Sequence, residues 1–166
     1  MKTTICAEEL GQLEACEEGY GVFYAAHKDA VVSFSEALES NGMDDVLWLL
    51  EAIGDQLSEQ QTKDLHLLAC DYAEGVLHLF EADYPEDKRP RQAIEAKRAW
   101  VAGDISGEEL EAARAAAWAA AGAELPSAAG EAAWAAARAA ARAAAGAAAG
   151  AEQKEQLKTL LLSWEK

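Results

Sequence analysis

The sequence predicts an all-α protein: an acidic helical N-terminal subdomain followed by an Ala-rich helical array with a long C-terminal helix. Three observations predict it. Only 3 prolines occur in 166 residues, which leaves room for long uninterrupted helices. Between Glu111 and Ala151, 26 of 41 residues are Ala, the residue of highest helix propensity. Elsewhere apolar residues recur at three- and four-residue steps, the period of a helix face. A chain of this length can bury a core without disulfide or metal staples.

The elements follow in order. Residues 7–14 and 15–27 read as two helices, with Leu10, Leu13, Tyr20, Phe23 and Tyr24 at helical spacing. Val31-Val32-Ser33-Phe34 alternates briefly, but one such run makes no sheet. Ser35 is the expected N-cap of a helix over Glu36–Ser40, stopped by Asn41-Gly42. Asp44 and Asp45 open the next helix, where acids suit the first-turn dipole, and it runs through Ile53. Val46, Leu47, Trp48, Leu49 and Leu50 are apolar nearly all round, which predicts a central helix. Ser58-Glu59-Gln60-Gln61 is a capping box opening a helix to about Asp83, with Leu65, Leu68, Ala69, Tyr72, Val76, Leu79 and Phe80 on one stripe.

Tyr84-Pro85-Glu86-Asp87 breaks the chain and divides it into expected subdomains 1–84 and 85–166. Beyond it Pro90 suits a first helical turn, and Ile94, Arg98 and Val101 mark a helix ending at Gly103. Ser106-Gly107-Glu108-Glu109 is a second capping box, opening a helix to about Ala123. Leu125-Pro126-Ser127 turns the chain into a last helix from about Ala128 to Trp164. Gly122, Gly130, Gly146 and Gly150 would let Ala faces approach closely, with Trp100, Trp118 and Trp134 as anchors. Arg114, Arg138 and Arg142 read as a solvated face or as ion-pair partners of the acidic half.

The formal charge is −16, from 14 bases and 30 acids. Phosphate and anionic lipid heads repel such a chain, which speaks against direct binding to nucleic acid or membrane. The charge is uneven. Residues 1–87 hold 20 acids and 3 bases, a net of −17, whereas residues 88–166 hold 10 acids and 11 bases. Three cysteines in no metal-like spacing (Cys6, Cys16, Cys70), and no apolar run of signal-peptide length, suggest a soluble cytoplasmic protein.

No motif rises to an enzyme, and no cofactor or metal is expected. His66 and Cys70 stand one helical turn apart but lack further ligands, so Cys70 reads as a buried thiol. Gly19-Tyr20-Gly21 lacks the rest of a nucleotide loop and reads as small residues at a helix contact. The functional signal is the acidic half. Glu14, Glu17, Glu18, Glu36, Glu39, Asp44, Asp45, Glu51 and Asp55 recur along helices whose apolar faces point inward, and outward they form a negative surface for a basic protein partner.

Lys88-Arg89-Pro90-Arg91-Gln92-Ala93-Ile94-Glu95-Ala96, then Ala99-Trp100-Val101-Ala102-Gly103-Asp104-Ile105 and Ala112-Ala113-Arg114-Ala115-Ala116-Ala117, resembles the Ala-rich helical immunity proteins of bacterial toxin systems over residues 86–145. Glu14-Ala15-Cys16-Glu17-Glu18-Gly19, with Phe23 and Phe34, is similar to the start of small phage and prophage proteins. Together the resemblances imply a conflict-system protein, an inhibitor rather than an enzyme, and they bring no catalytic residue with them. The first expectation is a phage-type inhibitor, anti-CRISPR or antirestriction, whose acidic half occludes the basic nucleic-acid-binding surface of a defence complex. The alternatives are an immunity protein that neutralises a toxin, and a structural protein forming a homo-oligomer through its Ala/Gly faces.

Overall fold

Serine and glycine set several of the helix boundaries, at Ser33, Gly42, Ser58, Gly103 and Ser106. In the computed structural model, which describes residues 1–123 and 150–166 (side chains to 116 in the first stretch), the fold is all-α with one small sheet. β1 (Thr4–Ile5) pairs antiparallel with β2 (Val32–Ser33), Thr4 opposite Ser33 and Ile5 opposite Val32. The helices are α1 (Ala7–Gln12), α2 (Glu17–His27), α3 (Phe34–Asn41), α4 (Met43–Ala52), α5 (Glu59–Asp83), α6 (Arg89–Ala102), α7 (Gly107–Ala123) and α8 (150–164). The expected turn at 125–127, the start of the last helix, the side chain of Trp118, and Gly130, Trp134, Arg138, Arg142 and Gly146 lie outside the described residues.

Three local expectations are corrected. Val32–Ser33 does form a strand, because Thr4–Ile5 supplies a partner from nearly thirty residues upstream. α3 is capped by Ser33 and not by Ser35. The Ser33 Oγ accepts from the Glu36 N–H at 3.2 Å while the Glu36 carboxylate accepts from the Ser33 N–H at 2.8 Å, a reciprocal box that Ser35, with Leu38 three residues on, has no acid to build. On α5, Val76 and Leu79 of the expected stripe are exposed, whereas Cys70 and Leu77 are buried. The reason is α6: Arg98 pairs with Asp71 and Glu74, Arg91 with Glu81, and the Cys70 thiol points at the Ile94 carbonyl oxygen. At 100° per residue, that line through 70, 74, 77 and 81 runs on the side of α5 opposite the apolar stripe.

The chain divides into two compact units, Met1–Asp64 with Lys154–Lys166, and Leu65–Gln153. Both divisions fall inside helices, α5 and α8, and the Tyr84-Pro85 break lies within the second unit. The first unit is assembled from both ends of the sequence. Its buried residues include Ile5, Leu10, Phe23, Phe34, Leu38, Val46, Leu49 and Ile53. α8 adds Leu157, Leu161 and Trp164, spaced four and three apart on one face. Trp164 donates its indole N–H to the Asp64 carboxylate at 2.9 Å. Gln61, fully buried, donates to the Lys2 carbonyl oxygen at 2.7 Å and accepts from the Ser58 N–H at 3.1 Å, completing the predicted capping box.

In the second unit α6 packs on α7, and Gly103, at φ 86°, ends α6 in the left-handed conformation that glycine adopts without strain. The predicted Ser106–Glu109 box opens α7. Trp100 is sandwiched in charge and aromatics: Lys97 lies 4.1 Å above its ring and His66 meets it edge-on at 5.4 Å. Burial, and then the Lys97 charge, lower the His66 pKa from its ordinary value. Tyr72 donates to the Gln153 carbonyl oxygen at 2.7 Å, and burial pushes its hydroxyl pKa up to about 12.

Candidate functional site: an apolar cavity with an acidic mouth

The first unit holds a cavity of about 260 Å³ between α1, α2, α3 and α4. Its buried lining is apolar and includes Ile5, Leu10, Phe23, Val46 and Leu49. Its mouth is different in kind. Cys16, Asp44 and Trp48 line it while exposed, and Asp45 lines it half-buried.

Short-range chemistry builds this mouth. Glu14, at φ 58°, reverses the chain between α1 and α2, and the Ala15 N–H then donates to the Leu10 carbonyl oxygen at 3.1 Å. Cys16 caps α2, its Sγ accepting from the Gly19 N–H at 3.3 Å. α3 and α4 are joined by the single residue Gly42, whose φ of 85° is a glycine conformation. That joint places Asn41 and Asp45 face to face. The Asn41 Nδ2 donates to the Asp45 carboxylate at 2.9 Å and to the Gly19 carbonyl oxygen at 2.8 Å. Gly19 is the small residue this contact demands, since a Cβ there would stand 2.9 Å from Asp45 Oδ2. Gly21 has open space instead.

The nine acids expected to meet a partner divide by role. Asp44 and Asp45 line the cavity. Glu14, Glu17, Glu18, Glu51 and Asp55 are exposed on the same unit. Glu36 is engaged in the α3 cap, and its hydrogen bonds from Ser33 hold its carboxyl below the usual range. Glu39 is engaged within the fold: it accepts from Lys158 at 2.6 Å and from Lys154 at 3.4 Å, and those ammonium groups, Lys158 foremost, lower its pKa.

Folding also redistributes the charge. The first unit contains 16 acids and 6 bases, a net of −10, and the second 14 acids and 8 bases, a net of −6. The gradient seen along the sequence is softened chiefly because six acids, Asp71 to Asp87, fall in the second unit, while Lys154, Lys158 and Lys166, with Glu155 and Glu165, join the first.

Trp48 is the residue that sequence reasoning placed in a central helix. α4 is instead amphipathic, with Val46, Leu49 and Leu50 buried and Trp48 38% exposed at the cavity mouth. Cys70 is buried as expected, and burial pushes its thiol pKa up. Among the described residues no group of three His, Cys, Asp or Glu side chains could hold a metal ion, and no helix is long and apolar enough to cross a membrane.

The family model described as Imm-5 like putative immunity protein matches residues 55–156. That span takes in the whole second unit, while the cavity and its acids up to Glu51 precede it. No curated protein and no solved structure matches the chain.

Proposed function

We infer, for a chain that belongs to this Imm-5 like immunity family, that it binds a partner toxin and neutralises it by occupying its working surface. The family match carries this reading, and it favours a toxin over a CRISPR or restriction nuclease complex as the target. The acidic first unit supplies the contact. A surface with a net of −10, bearing Glu17, Glu18, Asp44 and Glu51 in solvent, steers toward a basic protein and fits over cationic residues that would otherwise hold a polyanion. The protein acts in this reading as a binder, with no catalytic step of its own.

The test is growth rescue. Bacteria expressing a toxin that the chain captures in a pull-down should survive only when the chain is co-expressed. The triple variant Glu17→Lys, Asp44→Lys, Glu51→Lys should lose rescue while staying folded: all three side chains are exposed, and reversal of the first-turn acids Glu17 and Asp44 costs only about 0.3–1 kcal/mol each in helix-dipole stabilisation. Binding of the wild type should weaken steeply with added salt. Rescue that survives triple charge reversal refutes contact through this surface.

A further inference from the structure

We propose that the cavity between α1, α2, α3 and α4 is a socket for one Phe-sized apolar side chain of the toxin, flanked there by a Lys or Arg that pairs with Asp44. The proposal rests on the neutralisation reading above and adds the chemistry of the contact.

Size comes first. At about 260 Å³ the cavity falls below the range of roughly 300–1,000 Å³ common for small-molecule sites. A single large side chain suits it better than a whole ligand. The lining comes second. Its depth is apolar, with Leu10, Phe23 and Leu49 among the buried walls, so a hydrocarbon ring entering it leaves water without stranding a polar group.

Charge at the mouth selects what stands beside that ring. Among the described residues no lysine or arginine lines the cavity. Asp45 already accepts from Asn41, but Asp44 has no hydrogen bond or ion pair among the described residues. Asp44 is therefore open to a cation from outside, and one carried next to the inserted side chain reaches it without breaking a bond of the fold. Trp48, exposed on the same mouth, gives that cation an indole to rest against and is the residue type that dominates interface energetics. The socket is also pre-built. The Asn41 bridge to Gly19 and Asp45 fixes α2 against α3 and α4, so little ordering is required on binding.

The experiment uses the full-length ¹⁵N-labelled protein and three capped tripeptides: Lys-Phe-Lys, Lys-Ala-Lys and Glu-Phe-Glu. The reporters are the Trp48 indole N–H, the Gly19 amide and the Asn41 side-chain amide. Lys-Phe-Lys should give saturable shifts at all three, and the other two should bind at least about tenfold more weakly, Lys-Ala-Lys for loss of the central anchor and Glu-Phe-Glu because its carboxylates meet Asp44. Ala15→Leu, which fills the cavity from its lining, should abolish the Lys-Phe-Lys shifts. Asp44→Asn, at an exposed position, should weaken them while leaving the fold intact even if Ala15→Leu does not fold. Equal binding of Lys-Ala-Lys or Glu-Phe-Glu, or shifts unaffected by Asp44→Asn, would overturn the proposal. The same variants then enter the growth-rescue assay. If Asp44→Asn and a folded Ala15→Leu rescue as well as wild type, the socket is not where the toxin docks and this proposal fails, while neutralisation stands. If the wild type itself does not rescue, the neutralisation reading fails, and with it the identity of the occupant.

Discussion

Asn41 and Asp45, on consecutive helices, share a 2.9 Å hydrogen bond whose donor nitrogen also reaches the Gly19 carbonyl oxygen at 2.8 Å. One amide thus ties α2, α3 and α4 together at the mouth of the cavity. Asn41→Ala should cost about 1–3 kcal/mol, because the partly buried acceptors lose their donor. Asn41→Asp should cost more at neutral pH than at pH 3, since a second carboxylate then faces Asp45. Gly19→Ala should also destabilise, as its Cβ would press on Asp45 at 2.9 Å. Urea denaturation of the three variants checks all of this, and wild-type stability in Asn41→Ala would show the bridge to be structurally idle.

The first unit depends on a helix that arrives from the far end of the sequence. Leu161 is 1% exposed. Leu161→Ala should destabilise by about 2–5 kcal/mol through lost burial and the cavity left behind. Trp164→Phe keeps a ring but removes the N–H bound to Asp64, and should cost a smaller sum, about 1 kcal/mol. Hydrogen exchange locates the effect: amides of β1–β2, α3 and α4 should lose protection before those of α6 and α7. Uniform loss across the chain would mean that the two units unfold as one.

The helices and their caps were legible in the sequence because they rest on local chemistry. Ser58–Gln61 and Ser106–Glu109 close boxes within four residues, and Gly103 ends α6 by its own conformation. The same logic applied one box further would have found Ser33, whose Glu36 lies at the required offset, in place of Ser35. Long-range pairing was not legible. Leu157, Leu161 and Trp164 form a clear apolar face, yet nothing in their spacing says that it completes a unit begun 150 residues earlier. The cavity was hidden for a similar reason. It is bounded by four helices, and Trp48 joins it only because Val46, Leu49 and Leu50 take the buried side of α4. Acid count alone could not separate Asp44, exposed at the mouth, from Glu39, engaged with two lysines.

Glu39 makes that separation measurable. The Lys158 hydrogen bond, with the charge of Lys154, lowers its folded pKa below the ordinary 4.5. A depressed carboxyl contributes stability that is present above the unfolded value and lost as pH falls through the folded one. The pair should therefore support the first unit at neutral pH and release it in acid, below pH 4.5. In the double variant Lys154→Ala, Lys158→Ala, the Glu39 carboxyl should titrate close to 4.5 by NMR. An unchanged titration would show that the lysines are not its partners in solution.

Cysteine reactivity ties the cavity to the fold in a single assay. The three thiols are free and differ in access: Cys16 is exposed, Cys6 half-buried and Cys70 buried. Burial also raises the Cys70 pKa, so it carries less of the reactive thiolate at any given pH. Iodoacetamide on the native protein should alkylate Cys16 first and reach Cys70 only when the second unit opens, at a rate that rises with urea. Cys16 lines the cavity mouth, so its alkylation should also narrow the socket and reduce Lys-Phe-Lys binding, as Ala15→Leu does from the neighbouring position. Cys16→Ser should bind the peptide before and after iodoacetamide alike, because the modifiable sulfur is gone while an oxygen remains to accept from Gly19. Equal alkylation of Cys16 and Cys70 in folded protein would contradict their burial, and a fully modified Cys16 that leaves peptide binding intact would place the binding site elsewhere.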